Sequence, residues 1–98
     1  MAKYPVISLE ATRDLEEIWD YIAQDSPENA DAFLDQLFSK CCEVVELTAI
    51  GRKRAELGEG VMSIAHKRYV IFFVRRKSHV EIVRILHGAR DLDDVFDS

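Results

Sequence analysis

Ninety-eight residues with 48% apolar side chains suffice for a single domain with a modest core and leave little material for a second. No run approaches the roughly 20 apolar residues that cross a bilayer, and Met1-Ala2-Lys3-Tyr4-Pro5 lacks the apolar stretch of a secretory signal, so a cytoplasmic location is expected. The net charge of −5 argues against a uniformly basic nucleic-acid binder but conceals a division: residues 1–50 hold 3 Lys/Arg against 11 Asp/Glu, residues 51–98 hold 10 against 7.

Tyr4 to Leu9 reads as a short opening strand, with Pro5 suited to a sheet edge because proline donates no ladder hydrogen bond. Leu15, Ile18, Trp19 and Ile22 then repeat at i, i+3, i+4 and i+7 with Asp14, Glu16, Glu17 and Asp20 around them, the pattern of an amphipathic helix. Ser26-Pro27-Glu28 supplies an N-cap hydroxyl, a proline at the first helical position and an acid in the first turn, which predicts a second helix. Its buried stripe is Ala30, Phe33, Leu34, Leu37, Cys41 and Val44 or Val45, ending near Thr48 before Gly51. The short Gln24-Asp25 link makes the two helices an antiparallel hairpin. Trp19 is expected between hairpin and sheet, or at an edge where a partner reaches it.

Beyond Gly58 and Gly60 the period changes. Val61 to Ala65, Tyr69 to Arg75 and Val80 to His87 are rich in β-formers, and Arg76-Lys77-Ser78 is short enough for a hairpin turn. Strict alternation places Val80, Ile82, Arg84 and Leu86 on one face of the last strand and Glu81, Val83, Ile85 and His87 on the other. Both faces are largely apolar, and one helical hairpin covers one face. Apolar surface should therefore remain on the other, where a partner binds. The expected class is α+β: an N-terminal strand and an antiparallel helical hairpin packed on a small antiparallel sheet, forming one domain over 1–98.

Cys41 and Cys42 are adjacent in a helical pattern, where successive side chains diverge by about 100°, so they do not form a disulfide framework. No second ligand pair at metal-binding spacing accompanies them, and His66, His79 and His87 form no close pair. No metal or cofactor is expected. The cations Arg52-Lys53-Arg54, Lys67-Arg68, Arg75-Arg76-Lys77, Arg84 and Arg90 are suited to an acidic protein segment or to phosphates, or form an ordinary solvated face.

Tyr21-Ile22-Ala23, Ser26-Pro27-Glu28-Asn29-Ala30, Gly51-Arg52-Lys53-Arg54 with Glu56-Leu57, Tyr69-Val70-Ile71-Phe72-Phe73, and Arg84-Ile85-Leu86-His87-Gly88-Ala89-Arg90-Asp91 occur in that order. Together they resemble the ParE toxins of the RelE/ParE superfamily over roughly residues 5 to 92. The last run is the most specific. The resemblance implies a helical hairpin on a small antiparallel sheet, DNA gyrase as the target, a ParD-like antitoxin as partner in a hetero-oligomer, and contact with DNA only through that antitoxin. Two positions depart from the family pattern: Thr48-Ala49-Ile50 stands where a proline is expected, and Met62 where an arginine often precedes the strand serine.

On this reading Arg52, Arg54, Arg68, Arg84, His87 and Arg90 are candidate target-binding residues, and Trp19, Val80, Ile82 and Leu86 candidate antitoxin-binding residues. No residue is assigned a catalytic role. The alternative of a RelE-type ribosome-dependent mRNA endonuclease requires groups to activate the ribose 2′-OH, protonate the leaving oxygen and hold the phosphate. After His87 the chain offers Gly88-Ala89-Arg90 and then acidic Asp91-Leu92-Asp93-Asp94-Val95-Phe96-Asp97-Ser98, which would repel ribosomal RNA. An inactive member that only binds antitoxin is the third alternative, motivated by the charge missing at Met62. Arg84, between apolar neighbours, either pairs with a carboxylate or meets a partner.

Overall fold

Two serines start the two helices of the computed structural model, which describes residues 4–88. The Ser8 hydroxyl accepts the Ala11 amide at 3.0 Å, beginning α1 (Leu9–Ala23). The Ser26 hydroxyl accepts the Asn29 amide at 3.2 Å, beginning α2 (Pro27–Glu46) with proline in its first turn. Such caps satisfy amide donors that have no partner inside the helix. Because Ser8 already turns the chain into α1, the opening strand β1 is only Val6–Ile7, shorter than the expected Tyr4 to Leu9.

The C-terminus of α2 ends differently from expectation. The helix stops at Glu46, and Gly51 (φ 110°) lies beyond a further loop. The carbonyls left open there are taken by a distant side chain. The Arg75 guanidinium donates to the carbonyls of Val44 at 2.7 Å and of Leu47 and Ile50 at 3.1 Å each, bringing a cation to the negative end of the helix dipole.

The remaining strands are β2 (Arg52–Lys53), β3 (Val61–His66), β4 (Tyr69–Arg75) and β5 (Val80–His87), with a 3₁₀ turn at Ala55–Leu57. The order across the sheet is β1-β5-β4-β3-β2. β3, β4 and β5 pair antiparallel, as anticipated, and β2 adds to β3 in the same sense, whereas β1 joins β5 in parallel. The sheet is therefore mixed, and the fold is α+β. β2 and the 3₁₀ turn escaped the sequence reading because two residues show no period and Arg52-Lys53 carries no β-former.

The hairpin covers one face of this sheet. Ile18, Leu37, Cys41 and Val44 from the helices join Ile71, Phe73, Val80, Ile82 and Ile85 from the strands in one buried cluster. Burying a large aliphatic or aromatic side chain contributes about 1.5–3 kcal/mol, so this layer dominates the stability.

Strict alternation fails in β5. Phe72 lies opposite Arg84 and Phe73 opposite Ile82, so Val83 is an extra residue in a β-bulge. The inserted residue shifts the alternation by one. Val80 and Ile82 face the helices as expected from each other, but Ile85 joins them there, and Leu86 falls on the opposite face with Val70, its register partner.

The bulge is held by α1 and the residue before it. β1 pairs only as far as Ile82, leaving the later edge of β5 open. Ser8 seals part of it, its amide donating to the Ile82 carbonyl and its hydroxyl to the Val83 carbonyl, both at 3.0 Å. Asp14 seals the next part. Its buried carboxylate accepts the Ile85 amide at 2.9 Å and a two-toothed pair from Arg84, Nε at 2.8 Å and Nη2 at 3.0 Å.

Nor is the sheet face away from the helices an open apolar surface. Phe72 is fully buried there, with the Arg54 guanidinium over its ring at 5.6 Å, and Leu86 is 3% exposed. Large exposed apolar side chains occur instead at Tyr4, Val6 and Leu9, at Tyr21, and at Phe38 and Leu47.

Candidate functional site

At the end of the molecule where α1 passes into α2, the tight turn Lys67-Arg68 joins β3 to β4, with His66 opposite Tyr69. Its shortness forces Lys67 to φ 55°, a left-handed conformation that costs a side-chain-bearing residue on the order of 1 kcal/mol. The strand β5 ends beside it. Its following residue, Gly88, donates its amide to the Arg68 carbonyl at 2.9 Å.

Between this turn and the helices lies an open cleft of about 280 Å³, bounded by Tyr21 and Ile22 of α1, Phe33 of α2, Lys67, Arg68, Tyr69 and His87. Rings follow one another across it. His66 meets Phe33 at 5.7 Å, Phe33 meets Tyr69 at 5.5 Å, and Tyr69 meets His87 edge-on at 5.3 Å. Lys67 Nζ lies 5.8 Å from the Phe33 ring centre, within cation–π range. His66 shares a 2.9 Å hydrogen bond with Gln36. Burial, together with the neighbouring Lys67 and Lys40, holds the His66 ring below its ordinary value of 6.5. Lys67 and Arg68 are exposed, and no described carboxylate pairs with either.

The six residues expected to bind a target do not form one patch. Arg68 and His87 meet at this cleft. Arg52 is exposed on β2, at the edge of the sheet beside β3. Arg54 next to it is engaged, through Nε to Glu56 at 2.7 Å and Nη1 to Ser63 at 3.4 Å. That contact holds the Glu56 carboxyl below its usual range. Arg84 is committed to Asp14, whose hydrogen bonds push its pKa further up. Of its two sequence readings, the carboxylate pair is the one observed. Arg90 lies outside the described residues.

Three of the four candidates for antitoxin contact need correction as surfaces. Val80 and Ile82 are fully buried and Leu86 is 3% exposed, because the hairpin covers the first two and the bulge moves the third to the other face. None of the three presents its side chain to a partner in this conformation. Trp19 is half-buried on the outside of the hairpin, its indole donating to Asp31 at 2.8 Å, in a shallow groove with Leu15 and Leu34. Met62 is partly buried against the helix-side core. The cleft residues Tyr21, Phe33, Lys67 and Tyr69 were missed as a group. The available signal was the two-residue gap between β-rich runs at Lys67-Arg68, which forces a tight turn and brings both cations to one end of the sheet.

The two cysteines are unpaired thiols. Burial, reinforced by Cys42 beside it, pushes Cys41 up to about 12. No described helix is long and apolar enough to cross a membrane.

A family model described as the ParE toxin of the type II toxin–antitoxin system parDE matches residues 6–92. Among solved structures, the chromosomal ParDE toxin–antitoxin system from P. aeruginosa contains a chain of the same fold, with a TM-score of 0.72, 20% identity, and 87% of this chain and 96% of that one covered. The toxin–antitoxin complex RelBE2 from Mycobacterium tuberculosis is also similar, with a TM-score of 0.58, 25% identity, and 89% and 93% covered. Comparison with curated protein sequences finds no match.

Proposed function

We propose that this chain, which belongs to the ParE toxin family of type II toxin–antitoxin systems, inhibits DNA gyrase by protein–protein binding in the cytoplasm and is silenced by a ParD-like antitoxin. The family match over residues 6–92 carries the reading. Two surface features support binding as the mode of action. Lys67 and Arg68 stand exposed at an aromatic-lined cleft, suited to carboxylates on a partner. The apolar side chains of Tyr4, Val6 and Leu9 are exposed near the short edge strand β1, suited to an amphipathic segment or an added strand. Contact with DNA would come only through the antitoxin.

The direct test pairs two assays on purified toxin. Gyrase-dependent supercoiling should be blocked and mRNA on translating ribosomes left intact, with added ParD-like antitoxin restoring supercoiling. Ribosome-dependent cleavage with gyrase unaffected would reverse the reading.

One observation favours the endonuclease as second reading: His87, Arg68 and Lys67 border a single cleft, and these are residue types that can serve phosphate chemistry. The inactive member has less support, since Met62 packs toward the core, away from the exposed cations. Arg90 remains a proposed contact. Arg90→Ala should abolish growth inhibition while leaving stability within about 0.5 kcal/mol, as for a surface change; full toxicity in the variant would remove it from the site.

A further inference from the structure

The outer face of the helical hairpin carries a surface separate from the Lys67-Arg68 cleft. On α1, Leu15 and Trp19 lie at i and i+4, and on α2 Leu34 and Phe38 do the same, a spacing that puts each pair on one side of its helix. The Trp19 indole donates across the hairpin to Asp31 at 2.8 Å, which sets the two stripes side by side. A shallow groove lined by Leu15, Trp19 and Leu34 runs between them, and Phe38, one turn beyond Leu34, is 45% exposed. Its borders are acidic. Glu16 and Asp20 line the α1 side, Asp31 and Asp35 flank the α2 stripe, and all four are exposed. No described Lys or Arg lines the groove, and Lys40 of α2 is already paired with Glu43 at 3.4 Å.

We propose that this groove docks an amphipathic helix of a partner protein, with an apolar stripe against Leu15, Trp19, Leu34 and Phe38 and with Lys or Arg on its flanks. Shape and charge select the occupant. From Thr12 to Trp19 the groove follows α1 for about 10 Å of helix, the span of a partner's apolar side chains at i, i+4 and i+7. An extended segment finds no open sheet edge here, because both walls are helices whose backbone groups bond within themselves. The carboxylates bordering the groove attract a basic helix and repel an acidic one, so the hairpin face and the Lys67-Arg68 turn sort partners by opposite sign. Trp19 and Phe38 are the anchors, large aromatic side chains whose remaining exposure a packed helix removes. The proposal stands whichever cellular target the toxin has.

Trp19 is the sole tryptophan of the chain, so its fluorescence reports on this groove in the full-length protein. The probe is a synthetic helical peptide with leucines at i, i+4 and i+7 and lysines on both flanks. Its addition should shift the Trp19 emission to the blue and saturate. Phe38→Ala and Glu16→Lys/Asp20→Lys change exposed side chains and should keep the parent's melting temperature, yet each should weaken binding by at least about tenfold. The Glu16→Lys/Asp20→Lys protein should instead take a peptide in which glutamates replace the lysines. On the parent protein alone, a glutamate-flanked peptide binding as tightly as the lysine-flanked one would overturn the proposal. So would an emission unmoved by the lysine-flanked peptide, or a scrambled peptide of the same composition acting equally, which would leave only diffuse charge attraction. Emission that shifts with protein concentration alone, as the chain sediments as a dimer, would overturn it by assigning the groove to a second copy.

Discussion

Removing the Asp14 carboxylate should cost more stability than any other single polar change at the helix–sheet junction. The side chain is 8% exposed and serves three donors, Nε and Nη2 of Arg84 and the Ile85 amide. Asp14→Ala strands the buried Ile85 amide, a loss of about 1–3 kcal/mol. It also leaves Arg84 unpaired, and breaking a fully buried pair costs about 3–5 kcal/mol. Arg84 is 28% exposed and can recover part of its hydration, so the charge contribution is discounted to about 1–2 kcal/mol, between the surface and buried cases. The sum is about 2–5 kcal/mol, which in a domain of this size lowers Tm by on the order of 10–25 °C. Asp14→Asn separates the contributions, since its amide oxygen still accepts from Ile85: it should recover the Ile85 share of about 1–3 kcal/mol and keep only the Arg84 share of about 1–2 kcal/mol. Urea denaturation followed by circular dichroism on all three proteins, with unchanged m-values, measures the difference. An Asp14→Ala variant within about 0.5 kcal/mol of the parent, the range of an ordinary surface change, would refute the reasoning.

Other changes probe separate parts of the molecule. Arg75→Met should destabilise by about 1–3 kcal/mol, because the carbonyls of Val44, Leu47 and Ile50 lose their charged donor; the same urea titration reads it. Gly51→Ala should lose at least about 2 kcal/mol in that assay, combining positive-φ strain with overpacking, since φ is 110° and a Cβ would lie 2.6 Å from Phe73 Cζ. In the folded protein Cys41 should resist a thiol reagent at pH 8 while Cys42 reacts, because burial keeps the Cys41 thiol neutral up to about 12 and only the thiolate attacks; equal rates would contradict the burial. A proton NMR titration should place His66 below 6.5, so the stability tied to its neutral ring is present above pH 6.5 and fades as pH falls through the folded value; Lys67→Ala should raise that value.

Sequence patterns found the helices because each signal was local. Ser26 and Pro27 announce α2, and the 3.6-residue spacing of Ile18 and Ile22 fixes the buried side of α1. The three long strands were legible by composition. Three features were not, for identifiable reasons. The bulge at Val83 depends on Ser8 and Asp14, through hydrogen bonds that span 75 and 71 positions, so nothing near Val83 in the sequence marks it. A one-residue shift then moved Ile85 and Leu86 to the opposite faces from those expected. The parallel pairing of β1 with β5 joins the two ends of the described fold, and a two-residue strand carries too little pattern to declare its neighbour. The cleft likewise assembles from α1, α2, the β3–β4 turn and the end of β5, and only its basic turn is visible as a run.

The same distinction governs the cations. From sequence, the excess of Lys and Arg after residue 50 looks like one basic surface, but folding consumes much of it. Arg54, Arg76 and Arg84 pair with Glu56, Glu81 and Asp14, and Arg75 is bound to backbone carbonyls. These arginines answer internal electrostatic demands, and a partner that recruited them would have to break contacts already made. Arg52, Lys53, Lys67, Arg68 and Lys77 are exposed, with no carboxylate among the described residues pairing with any of them. Arg52 and Lys53 lie on the edge strand β2, and Lys77 lies in the β4–β5 turn at the far end of the sheet from the cleft. Lys67 and Arg68 alone combine available charge with an aromatic-lined recess and a backbone held in an unfavourable conformation. Strain of that kind persists only where surrounding structure enforces it, here the pairing of His66 with Tyr69. The turn is thus the place where positive charge is both fixed in position and left for another molecule to neutralise.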